Sequence, residues 1–247
     1  MSKIYEVGGC VRDRILGIES NDIDYTFVLD DLSGTPEEGF LVMSQQLKDE
    51  GFKIFLSTPE MFTIRAKFPV DHKNKGIDAD FVMARKELGY KPGTREPILA
   101  LGTLEDDLAR RDFTLNALAE DENGNLIDLF DGQKHLAEKI LVTPLDPIVT
   151  FMDDPLRVIR ALRFSITKDL MIREDVWEAM FQEGLLAKLE STVSIDRIRN
   201  EFKKMFEFDT LASLRLLAKV DAKDANFLNS AFGKDLWLLP TFKKRGS

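Results

Sequence analysis

Asp22 and Asp24 lie two apart at the start of Ile23 to Leu29, a run whose β-branched and aromatic residues mark a strand. The two-residue period of a strand places both carboxylates on one face and Ile23 on the other. Two carboxylates that close repel each other unless a cation lies between them, and hard oxygen donors beside phosphate suit Mg²⁺. Upstream, Ile4 to Val7 alternates apolar and polar residues like a short strand and runs into Gly8-Gly9, where the missing Cβ lets backbone approach a ligand closely. Val11, Ile15 and Ile18 then recur at helical spacing, so the amides at that helix's start would face an anion with the positive end of the dipole behind them. Arg12 adds a guanidinium fork for phosphate. A Gly-Gly turn or an acidic strand end is by itself an ordinary structural feature. Together and in this order they have the chemistry of nucleotidyl transfer.

Three further segments carry polar groups in patterned positions. Ile77 to Arg85 again reads as a strand with acids at alternate positions, Asp78 and Asp80. Beside the first pair in a sheet, one of them would complete a two-metal cluster, in which one ion activates the attacking hydroxyl and the other steadies the triphosphate and the leaving pyrophosphate. From Leu104 to Leu118 the leucines 108, 115 and 118 fall near one helical face, with Arg111, Asp112 and Asn116 as polar outliers. Arg suits triphosphate oxygens, and Asp and Asn suit sugar hydroxyls; the plainer alternative is a helix start with surface charge. Asp153, Asp154 and Arg157 lie at i, i+1 and i+4, so on a helix Asp153 shares a face with Arg157, and Arg157 also reaches Asp154. Cytosine and adenine each present an amino donor beside a ring-nitrogen acceptor, so one Asp/Arg pair fits both and rejects uracil and guanine. The alternative is an intrahelical ion pair. Arg160 and Arg163 continue this helix, either toward phosphate or toward acids of the next helix.

The elements needed to position these groups fit a chain of 247 residues, long enough for one large domain or two modest ones. The front section alternates strands (Ile4 to Val7, Ile23 to Leu29, Lys53 to Leu56, Phe62 to Phe68, Ile77 to Met83) with helical patterns such as Phe40 to Glu50, an α+β or α/β head. Asp30 to Glu38 and Tyr90 to Pro97 read as loops. After Thr143-Pro144-Leu145-Asp146-Pro147 only helical periodicity is expected, which gives a head over 1–143, a helical neck over 144–220 and a weakly patterned tail over 221–247. The net charge of −9 is concentrated in the front: residues 1–150 hold 28 acids against 17 bases, and residues 151–247 hold 15 against 17. That balance permits an RNA partner at the rear and argues against strong, indiscriminate binding. A single cysteine, Cys10, excludes an intrachain disulfide, and two histidines leave no Cys/His zinc cluster. No apolar run reaches transmembrane length and no signal-like segment follows Met1, so no membrane partner and a cytoplasmic location are expected, the host cytoplasm if the protein is viral.

Gly8-Gly9-Cys10-Val11-Arg12-Asp13, Asp22-Ile23-Asp24, Arg110 to Ala117 (RRDFTLNA) and Asp154 to Phe164 (DPLRVIRALRF) together resemble the class II tRNA nucleotidyltransferase and bacterial poly(A) polymerase family, over roughly residues 3–205. The resemblance implies an α+β, polymerase-β-type head with a mixed sheet, followed by an all-helical neck. It implies that Gly8, Gly9 and Arg12 hold the triphosphate, that Asp22 and Asp24 bind metal, and that Arg111, Asp112 and Asn116 hold the nucleotide's phosphates and ribose. Asp80 is the third catalytic acid by its phasing to Ala84-Arg85, with Asp78 as fallback. Asp128 to Gly132 matches the hinge and Ser194 to Phe202 a neck helix. The family's templating motif is Glu-Asp-x-x-Arg. Here its first acid is the shorter Asp153, so Asp154 and Arg157 are the expected base readers, and Arg160 is a further nucleotide contact. The implied activity is addition of C, C and A to the 3′ end of tRNA from CTP and ATP with Mg²⁺, or Mn²⁺ in its place. Poly(A) polymerase is the alternative, disfavoured because Thr58 to Arg65 (TPEMFTIR) lacks that branch's Gly-Arg/Lys-Arg-Phe signature; a non-catalytic RNA-binding relative is the second. The family's bacterial members continue into body and tail helices. Either the short rear holds only the acceptor stem, or a homodimer or partner supplies the missing surface, or the enzyme is a compact viral form.

Overall fold

The computed structural model describes residues 2–19, 23–72, 74–90 and 97–233. Two compact units are present, Met1–Gln133 and Lys134–Ser247. The front unit contains β1 (Ser2–Val7), α1 (Gly9–Ile15), β2 (Ile23–Leu29), α2 (Pro36–Asp49), β3 (Lys53–Thr58), β4 (Thr63–Lys67), β5 (Asp78–Met83), β6 (Arg85–Tyr90), β7 (Pro97–Leu101), α3 (Leu104–Ala109), β8 (Leu118–Glu120) and β9 (Leu126–Asp128), and α4 (Gly132–Ala137) begins at its end. Seven strands form one mixed sheet in the order β3-β4-β5-β2-β1-β8-β9, in which β2 and β5 run parallel and the other neighbours antiparallel. The antiparallel pair β6–β7 stands apart from it.

Alternation along the central strands decides what each face does. Ile23, Phe27, Ala79, Phe81, Met83, Ile64 and Ala66 are buried on one face against Phe40, Met43 and Leu47 of α2 and Val11 of α1. Each large side chain buried this way contributes about 1.5–3 kcal/mol. Tyr25 and Phe81, register partners on β2 and β5, stack with centroids 4.9 Å apart. A slip of one residue would expose this pair and turn the aspartates between its neighbours into the core, so the apolar face fixes where the acids point. The helix expected from Phe40 begins earlier, at Pro36. Thr35 accepts from the Glu38 amide while the Glu38 carboxylate accepts from the Thr35 amide, a capping box with proline just inside it.

The rear unit holds a two-residue parallel pair, β10 (Ile140–Leu141) with β11 (Met171–Ile172), and seven helices among the described residues: α5 (Pro147–Asp153), α6 (Leu156–Thr167), α7 (Glu174–Ala179), α8 (Leu185–Thr192), α9 (Ile195–Phe208), α10 (Thr210–Lys223) and α11 (Ala225–Phe232). The pair β10–β11 interrupts the purely helical pattern expected after Pro147. It also draws residues 140–141 into the rear unit, so the division at Gln133 precedes the expected boundary at residue 144. α6 buries Val158, Ile159 and Leu162, and α9 buries Ile198, Phe202 and Met205. Of the stretch expected as weakly patterned tail, residues 221–223 close α10 and 225–232 form α11. Asp224 accepts from the Asn226 amide to start α11, whose Phe227 and Ala231 are buried, and Phe232 stacks on Phe202 at 4.4 Å. Trp237 and its neighbours lie outside the described residues. No helix among the described residues is long and apolar enough to cross a membrane.

Candidate active site

Strand register lines up Arg65, Asp80, Asp24, Val7 and Ala119 as successive partners across β4, β5, β2, β1 and β8. Neighbouring strands are ~4.8 Å apart, so Asp24 and Asp80 are immediate neighbours on the face away from the main core. Asp24 is exposed and Asp80 half-buried. Both Asp80 oxygens accept from Arg65, Nε to Oδ1 at 2.5 Å and Nη2 to Oδ2 at 2.6 Å. Of the two acids on β5, Asp80 is the partner of Asp24, and Asp78 pairs with Lys67 at 3.5 Å. Asp22 lies outside the described residues. Among those described, no group of three or more metal-capable side chains gathers. The Asp24–Asp80 pair nevertheless supplies hard carboxylate oxygens side by side, a donor set that fits Mg²⁺.

The glycine bend follows Val7 directly and so adjoins Asp24 in the same row. Gly8 has φ 77° and ψ −129°, and a Cβ there would lie 2.6 Å from Arg111 Nη1. Glycine therefore permits both the bend and the seating of Arg111 against backbone. Gly8→Ala is expected to cost about 1–3 kcal/mol of stability from backbone strain, read by urea denaturation, and to raise the nucleotide KM by displacing Arg111. An unchanged KM would show that this seating is irrelevant to the ligand.

Arg111 is anchored by Asp107, a residue not singled out from the sequence. Asp107 is buried on α3 and accepts from Thr26 Oγ1 at 2.7 Å, Arg111 Nη2 at 3.0 Å and Arg110 Nη2 at 2.8 Å. Burial pushes its carboxyl pKa up, but Arg111, Arg110 and the Thr26 hydroxyl outweigh this and hold it at about 2. Its spacing three and four residues before two arginines was visible, but in a run of three acids at a helix start it reads as ordinary surface charge.

Arg12, Asp112 and Asn116 form a second network. Arg12 Nη1 donates to Asn116 Oδ1 at 2.5 Å, Asn116 Nδ2 donates to Asp112 Oδ1 at 2.8 Å, and Arg12 forks onto Asp13 at 2.8 Å. The three are almost fully buried. Arg111, Asp112 and Asn116 do not lie on one helix as the leucine spacing suggested. α3 ends at Ala109, Thr114–Asn116 is a single 3₁₀ turn, and the chain is β-strand from Leu118. The Asp112 carboxylate accepts from the Phe113 amide at 2.9 Å, a local bond that competes with helix continuation. Gly132, in the expected hinge stretch, packs where a Cβ would meet the Thr114 carbonyl at 2.3 Å, so that stretch closes directly onto this turn.

In the rear unit, Asp153 and Arg157 do not share one helix. α5 ends at Asp153, Asp154 is extended (φ −129°, ψ 100°), and α6 starts after Pro155, which disfavours helix at the residue before it. Arg157 still pairs with Asp153 at 3.4 Å and donates to the Thr150 carbonyl at 3.1 Å. Asp154 accepts from the Leu156 amide at 3.1 Å and lies 3.5 Å from Arg197. Arg160 and Arg163 both pair with buried Glu201 of α9, at 3.7 Å for Arg160, so of the two expectations for these arginines the structure shows acids of another helix. Glu201 has no sequence signal beyond its place in an amphipathic helix.

Paired carboxylates on adjacent strands, a glycine bend and an adjoining Arg/Asp/Asn turn define a nucleotidyltransferase head. Residues 4–142 match the family model for the poly A polymerase head domain, and the chain belongs to that family, the class II nucleotidyltransferases that include CCA-adding enzymes. The CCA-adding enzyme of Geobacillus sp. (strain WCH70) is 33% identical over 204 residues, 82% of this chain and 45% of that protein. Among solved structures, the Thermotoga maritima CCA-adding enzyme complexed with tRNA is similar with a TM-score of 0.68 and 27% identity, covering 96% of this chain and 50% of that one. The Bacillus stearothermophilus CCA-adding enzyme in complex with CTP gives 0.68 and 26%, covering 94% and 54%. Their arrangement of an α+β head followed by a helical region is the one found here. The chain spans about half the length of these relatives.

Proposed function

We propose that this protein adds C, C and A to the 3′ end of tRNA, using CTP and ATP and releasing pyrophosphate. The observation that carries the reading is the register pairing of Asp24 with Asp80 beside the Gly8 bend and Arg111. In the reaction the tRNA 3′-hydroxyl oxygen bonds to the α-phosphorus as the bond to the bridging oxygen breaks, and pyrophosphate leaves. Asp24 and Asp80, with Asp22, hold divalent cations, which when bound neutralise triphosphate charge and favour loss of the hydroxyl proton. Gly8, Gly9, Arg12 and Arg111 hold the triphosphate, and Asp112 and Asn116 hold the ribose. Similarity to enzymes solved with tRNA and with CTP supports the substrates.

Asp154 and Arg157 are the proposed readers of the base edge, with Arg160 beside them on α6. Arg157→Ala is expected to raise misincorporation of U and G by about 10- to 100-fold, because a mismatched buried polar group costs about 1–3 kcal/mol. Competition of all four nucleotides for one acceptor measures this. Exposed cations of the rear unit such as Lys203 and Arg197 are proposed phosphate contacts for the tRNA. Affinity should fall about 10- to 50-fold between 50 and 200 mM salt if roughly three phosphates are contacted, as a filter-binding titration reads. Sequencing the 3′ ends of a tRNA lacking CCA after reaction with all four nucleotides tests the whole reading. C, C, A supports it; long A tracts identify a poly(A) polymerase; no extension leaves an RNA-binding relative.

A further inference from the structure

Arg65 sits at the end of the carboxylate row, and the reaction as derived gives it no part. It is the register partner of Asp80 on β4, as Asp24 is its partner on β2, so a positive charge and two negative charges stand side by side on one face of three adjacent strands. Its fork engages Asp80 with two bonds, Nε to Oδ1 and Nη2 to Oδ2, while the next pair along the same strands is again cation against acid, Lys67 with Asp78. Both Arg65 and Asp80 remain partly open to solvent, 48% and 27% exposed, so this pair contributes little to stability and can be remade without unfolding. A guanidinium on the same carboxylate that would bind a divalent cation repels that cation and occupies the oxygen lone pairs aimed at β4. We propose that Arg65 is a built-in counter-ion to Asp80, a positioning residue that holds this carboxylate before a divalent cation arrives and sets the cation concentration at which the site loads. The inference rests on Asp24 and Asp80 being cation ligands. Because the arginine charge screens the pair, the site binds weakly in the absence of nucleotide, and the triphosphate brings the remaining negative charge when it enters.

The test is Mn²⁺ titration of the full chain, followed by electron paramagnetic resonance, for the wild type, Arg65→Gln, Arg65→Lys and Asp24→Asn. Circular dichroism and the melting temperature show that each variant is folded. Removing one positive charge at this distance is expected to tighten Mn²⁺ binding about ten-fold in Arg65→Gln, with unchanged stoichiometry. Arg65→Lys, which keeps the charge, should stay within about two-fold of wild type on the same argument. An Asp24-dependent Mn²⁺ site whose affinity is unchanged or weakened in Arg65→Gln overturns the counter-ion role and leaves the metal reading standing. Equal binding by wild type and Asp24→Asn overturns the metal reading, and the role of Arg65 falls with it.

Discussion

Asp24→Asn is expected to lower nucleotidyl transfer by about 10³-fold or more while leaving the fold intact. The substitution keeps size and hydrogen bonding but removes the charge that a divalent ion requires. Loss of metal-assisted charge stabilisation of several kcal/mol corresponds to about three powers of ten in rate. Asp24 is exposed on the polar face of β2, so its removal should change stability by no more than about 0.5 kcal/mol. Single-turnover incorporation of labelled CMP into a tRNA acceptor, together with a melting curve, separates the two effects. A variant with wild-type turnover would remove Asp24 from the chemistry, and one that melts far below wild type would make its inactivity uninformative.

The second large effect is on stability. Asp107→Asn is expected to destabilise the front unit by about 3 kcal/mol at neutral pH, because it leaves Arg110 and Arg111 facing a buried neutral group. The pH dependence identifies the cause. The folded-state pKa of Asp107 is depressed to about 2 against an ordinary 3.8, so its contribution is fully present above the ordinary value and is lost as pH falls through about 2. The carboxylate's share, about 2 kcal/mol from a shift of this size, should make the difference between wild type and variant shrink between pH 4 and pH 2 in urea titrations. A difference that does not vary with pH would mean that Asp107 acts through packing alone. The same variant should raise the nucleotide KM more than it lowers kcat, since Arg111 loses its anchor.

Much of this arrangement was legible because it follows from local periodicity. Asp24, Asp78 and Asp80 could be assigned to strand faces from a two-residue alternation with aromatic and β-branched neighbours, and the strands found at 23–29 and 78–83 are those expected. The pairing of β2 with β5 depends on sheet order and needed the structure; the family resemblance alone favours Asp80 over Asp78, and the register makes Asp80 the partner of Asp24. Where side chains bond to nearby backbone, helical spacing misled. α3 stops at Ala109 and Asp112 beyond it accepts from its own next amide, and the Asp154-Pro155 step ends α5, where the apolar pattern alone would have carried a helix on. Asp107, Arg65 and Glu201 went unnoticed because each is defined by its partner's position, 81 residues away for the Thr26 bond to Asp107 and 38 for the Arg163 bond to Glu201. The helix at 225–232 was missed because its capping residue and two buried positions make only a short signal.

The most direct test of the central claim is anomalous diffraction from crystals of the full chain grown with CTP and Mn²⁺. The account predicts a metal peak about 2 Å from carboxylate oxygens of Asp24 and Asp80, with the triphosphate of CTP lying along the Gly8-Gly9 bend. A metal peak remote from both aspartates, or a triphosphate bound away from the glycines, would contradict it.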